Sequence, residues 1–215
     1  MRVITFALAM PLLLPLAVSA QDISKINGSV SVDAGQHAGD VHSVNGSVNV
    51  GDAAVVQEAA TVNGSVHLGA RAQASSLHTV NGAQTLAQGA QVRGDVNSTN
   101  GSISLESGAD VTGNTSNVNG AIRLDHAHIG GSIETTNGDI LVGDSSRVDG
   151  GITVHEQHGW SNSSRLPHIV IGPHAVVRGT LDFHRDVVLQ VSDSAQIGQV
   201  KGATPMRFSG TQPLE

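Results

Sequence analysis

The segment Asp125-His126-Ala127-His128 sets two imidazoles two residues apart. On a strand that spacing turns both toward one face, which suits a divalent metal ion. His155 and His158, in His-Glu-Gln-His, form a second pair. They fall one residue short of the His-Glu-x-x-His spacing that brings two zinc ligands onto one helix face, and they sit in a polar segment where that face does not arise. These four histidines are the metal-ligand candidates of the chain; outward decoration of strands, or a surface charge that follows pH, accounts for them equally. Sugar-cleaving chemistry needs paired carboxylates flanking a groove, whereas Asp33, Asp40, Glu58, Asp95, Asp110, Asp125, Asp139 and Asp144 are placed singly along the chain. No catalytic residue and no cofactor is therefore expected.

Composition narrows the partners. The chain has no cysteine, which excludes disulfide staples, thiolate metal sites and attachment of a lipoprotein anchor. Its formal charge is −7, and its eleven Lys and Arg are scattered, so neither nucleic acid nor an anionic membrane is an expected partner. Residues 1–20 read as a secretory signal: Arg2, an apolar run, then Val18-Ser19-Ala20. Pro11 and Pro15 interrupt the run, and no second apolar segment of spanning length follows. The exported chain is expected to begin near Gln21, to act in the periplasm or outside the cell, and not to insert into a membrane after cleavage. Beyond the signal its aromatic residues are Trp160, Phe183 and Phe208, so the core must be built from aliphatic side chains in some regular way.

That regularity is visible at Asn-Gly, which recurs at Asn27, Asn45, Asn63, Asn81, Asn100, Asn119 and Asn137, steps of 18 or 19 residues. A fixed period of this size signals a repeat architecture. After each Asn, the third and fifth residues are mostly aliphatic, as in Val30/Val32, Val48/Val50, Val66/Leu68, Ile103/Leu105, Ile122/Leu124 and Ile140/Val142. Such alternation places both on one strand face. A further residue, apolar except for Thr115, precedes each Asn by four, as Val41, Ala59, Leu77, Val96, Thr115 and Ile133, and another apolar one falls between repeats at Val55, Val92, Val111, Ile129 and Val148. Three short alternating segments per period describe a triangular coil with a perimeter of about 60 Å, at roughly 3.3 Å per residue. The expected fold is all-β: a single-stranded parallel β-helix, or β-solenoid, with about 18 residues per triangular coil and roughly nine to ten coils. Asn-Gly becomes a corner, its Gly tolerating φ > 0 and its Asn amides forming a ladder from coil to coil. The expected organisation is a signal peptide over 1–20, the Asn-Gly β-helix over 21–154, a polar loop insertion over 155–167, further coils over 168–200 and a cap or tail over 201–215. Ile23 and Ile26 suggest an apolar cross-section left open at the first coil.

At NGSISLESGADVTGNTSNVNGAIRL, residues 100–124, and IVIGPHAVVRGTLDF, residues 169–183, the chain resembles the bactofilin family of polymer-forming bacterial proteins, whose core is a cysteine-poor β-helix of similar coil length. TVNGSV at 61–66 is also similar to adhesin-type β-solenoids of cell envelopes. The resemblance covers roughly Ile26 to Val200. It implies a filament-forming or scaffold protein with no catalytic residues to carry across; the expected reading is a structural, polymer-forming or adhesive envelope protein without catalytic activity, with end-to-end self-association and cell-wall or surface glycans as the expected partners. The alternative from another class is a carbohydrate-active or carbohydrate-binding β-helix.

Overall fold

The computed structural model describes residues 20–157 and 165–210, and within them the chain is all-β with no helix. It winds through three parallel sheets. Sheet A has ten strands, from Gln21–Asn27 to Val200–Lys201; sheet B has ten, from Val30–Val32 to Met206–Phe208; sheet C has seven, from Gln73–Ala74 to Gln196–Ile197, and isolated bridges through Val55 carry its line back to His37. Each coil contributes one segment to A, then B, then C, so hydrogen-bonded neighbours before the insertion are mostly 18 or 19 residues apart, as in Asn45↔Asn63 and Leu86↔Leu105, and 29 apart across it, as in Ile140↔Ile169. This is the β-solenoid that the period predicts. Residues 155–167 lie between the sheet A strand Ile152–Val154 and the sheet B strand His168–Ile171, and the coil stack continues across them through Ile140↔Ile169.

The core is a set of aliphatic columns. Val48, Val66, Ile103, Ile122, Ile140 and Ile169 stack along sheet B, with Gln84 as one polar rung, and all are at most 1% exposed. Stacked rungs bury most methyl groups against another aliphatic side chain one coil away, which substitutes for the large rings the core mostly lacks. The Gln84 amide is held by Thr79 Oγ1 at 3.0 Å and the Asn97 carbonyl at 2.6 Å. Val55 departs from its expected inward place. Its partner in register is Gln73, on the outer column of sheet C, and Val56 faces the core instead. Two adjacent valines carry no period, and the coil geometry selects the second.

The corners are built differently from one another. At Asn-Gly, only Gly28, Gly82 and Gly120 of the seven glycines have positive φ in the left-handed region. The common reason for Gly is close stacking: a Cβ on Gly64 would run into the carbonyl of Gly46 in the preceding coil. The left-handed backbone recurs instead between sheets B and C, at Gly35, Ala53, Arg71, Gly89, Gly108, His126, Ser145 and His174. Four residue types besides Gly accept it there, so the corner has no sequence signature.

Ile26 does not belong to an open apolar cross-section. It is 72% exposed on the outer face of sheet A, whereas Val30 and Val32 of the same coil are buried. The residue before each corner Asn points outward throughout, giving the half-exposed stripe of Val44, Val62 and Val118.

Candidate functional surfaces

The seven corner asparagines form one continuous chain of side-chain hydrogen bonds. Each Nδ2 donates to the Oδ1 one coil earlier, from Asn45 to Asn27 through to Asn137 to Asn119, over 2.8–3.1 Å. A second column supports it from inside: Ser43 and Thr61 hydroxyls, buried under the corner, donate to the carbonyls of Gly28 and Gly46 at 3.0 and 2.8 Å. At Asn137 the ladder ends on a cation, where Arg185 Nη1 donates to Oδ1 at 2.7 Å and to the Thr136 carbonyl at 3.2 Å. Identical amides stacked at strand spacing satisfy one another, so this column contributes rigidity.

His126 and His128 are not brought together. His126 occupies the left-handed corner between sheets B and C, and His128 begins a sheet C strand. His126 Nδ1 lies 2.7 Å from Asp125 and Nε2 3.4 Å from Asp144, which also meets His174 Nδ1 at 3.3 Å. The hydrogen bond to Asp125 is the main cause that raises the His126 pKa above its ordinary 6.5. His128 Nδ1 meets Asp110 at 2.5 Å and Nε2 meets Asp149 at 3.1 Å. Partial burial opposes the imidazolium there, but the bonds to Asp110 and Asp149 outweigh it and hold the pKa above 6.5. Asp149 also takes Arg147 Nε at 2.7 Å and lies 3.3 Å from Arg178. Arg147 first and His128 second hold its carboxyl down at about 2. His155 Nε2 lies 3.1 Å from Glu134, and its ring stacks on His184 with centroids 6.4 Å apart. His158 lies outside the described residues. Each of the other three candidates lies against carboxylates, in separate pairings on different sides of the coil.

Among the described residues, the donor set with metal-ligand geometry is elsewhere. Asp40, His42 and Glu58 hold one ligand atom each within 4.8 Å of one another, all half-buried. The register Val41↔Ala59 sets Glu58 beside Asp40 on the next coil, with His42 two residues along the same strand. Two carboxylates and an imidazole are ligands that zinc or another divalent first-row ion accepts. Asp40 and Glu58 look single in the sequence because one coil separates them.

These features define the chain as a parallel β-solenoid with polar columns on its corners and an aliphatic interior. Scans against protein-family models, curated proteins and solved structures find no match to it.

Proposed function

We propose that this is an exported structural protein of the cell envelope or exterior, without catalytic activity, whose copies join end to end into a polymer. The observation that carries this reading is the strand Gln21–Asn27. It is the edge of sheet A, is exposed along nearly all of its seven residues, and has no strand on its outer side among the described residues. Such an edge presents a row of unpaired N–H and C=O groups that another chain can pair with. At the other end the edge of sheet A is Val200–Lys201 and that of sheet B is Met206–Phe208, each running parallel to the first strand of its own sheet, Gln21–Asn27 and Val30–Val32. A head-to-tail contact between the two ends does not close on itself, so it extends.

The test follows from strand geometry. Leu77, Val96 and Ile133 donate their backbone N–H to the following coil. Alternation turns the N–H of the next residue toward the preceding coil. In the first strand that residue is Ser24, whose N–H faces the free edge. Ser24→Pro should therefore keep the thermal melt of the single copy while abolishing concentration-dependent sedimentation. A wild-type chain that stays monomeric at all concentrations, or a variant that sediments like wild type, refutes the proposal.

A further inference from the structure

The outer face of sheet B carries a half-open groove of about 610 Å³, within the size range of small-molecule sites. Its floor is one outward column, read through the register Arg123↔Leu141↔Val170. Phe208, from the last strand of the sheet, closes the end beyond Val170. The floor is thus aliphatic over two rungs, with an aromatic end wall and a guanidinium at the other end. Rungs stand about 4.8 Å apart, so the span from Arg123 to Val170 is about 10 Å.

The charges around the groove are unequal in a useful way. Asp139 on one wall is already engaged by Arg165 Nη2 at 2.6 Å and by the His168 backbone N–H at 2.9 Å. Burial raises its pKa, but those two bonds outweigh it and hold the carboxyl ionised and paired. Asp144 on the other wall is shared between His126 and His174. Arg123 is exposed, and among the described residues it has neither an ion-pair nor a hydrogen-bond partner. An apolar trough with its acids already paired and one free guanidinium at its mouth is complementary to an organic anion with an apolar body.

We infer that this groove binds a medium-chain alkyl or aryl carboxylate, its carboxylate on Arg123 and its apolar body over Leu141 and Val170 toward Phe208. The guanidinium fork takes two carboxylate oxygens at once, and the chain displaces water from the two aliphatic rungs. The site lies on a side face and does not rest on the polymer proposed above; it shares with the proposed junction only Phe208, from the edge strand Met206–Phe208.

Calorimetric titration of the chain from Gln21 onward with octanoate, octanol and acetate tests it. Octanoate should bind saturably and acetate should not. Arg123→Gln should weaken octanoate by roughly tenfold or more, the scale of a lost charge-assisted hydrogen bond, while leaving octanol unchanged. Val170→Asp should weaken both, and circular dichroism should confirm that each variant keeps its β spectrum. Absence of saturable octanoate binding overturns the inference, as does equal affinity for octanoate and octanol, or octanoate affinity indifferent to both substitutions.

Discussion

His128 shows how a single side chain in this solenoid takes its character from neighbours a coil away. It bridges Asp110 and Asp149, which lie 18 and 21 residues distant, while Arg147 and Arg178 complete the cluster around Asp149. Its folded pKa stands above the ordinary 6.5, so its bonds contribute fully below about pH 6.5 and are lost as pH rises through the raised value. Asp149 works in the opposite sense. Its carboxyl is held at about 2 against an ordinary 3.8, so that contribution is present above about pH 4 and is lost as pH falls toward 2. The melting temperature of wild type should exceed that of His128→Gln most between about pH 4 and pH 6.5, by about 1–3 °C for a partly exposed cluster. The gap should narrow by pH 9, and a gap independent of pH would remove the imidazolium from the account. None of this pairing is legible locally. Asp-His-Ala-His suggests a shared strand face only if the strand runs through all four residues, and the left-handed backbone at His126 breaks it before His128.

At the scale of the element, the corner is what the sequence announces most clearly and explains least. Seven Asn-Gly pairs disclose the coil length, the alternation after them discloses the sheet B core, and both follow from period alone. The cause of the glycine does not, because it is the carbonyl of another coil. Gly64 has no positive φ, yet its missing Cβ leaves room for Gly46. Gly64→Ala should therefore cost about 1–3 kcal/mol through overpacking of the stack, and Ser65→Ala, one residue on and exposed, should be close to neutral. Urea denaturation of the two variants measures this, and a silent Gly64→Ala would mean the coils do not approach so closely. The outward stripe of Val44, Val62 and Val118 eludes periodic reading for a related reason. β-Branched residues suit a strand on either face, and a Val beside a corner carries no mark of which side it takes.

The whole molecule is a short rod of ten rungs in sheets A and B. Its ends are unlike: a seven-residue exposed strand at one, and strands of two and three residues at the other. Of the two residues expected in an apolar cross-section at the first coil, Ile23 packs partly buried against the core while Ile26 turns outward, and Val30 and Val32 are buried, which moves the proposed junction mainly from side chains to backbone. Assembly through backbone pairing extends the solenoid by its own repeat. Electron cryo-microscopy of the chain from Gln21 onward is the most direct measurement of this account. It should reveal unbranched filaments in which the strand spacing of about 4.8 Å runs through the junctions, with an axial repeat near 48 Å, ten rungs to a copy. Discrete rods of about that length, or copies joined side by side, would contradict it.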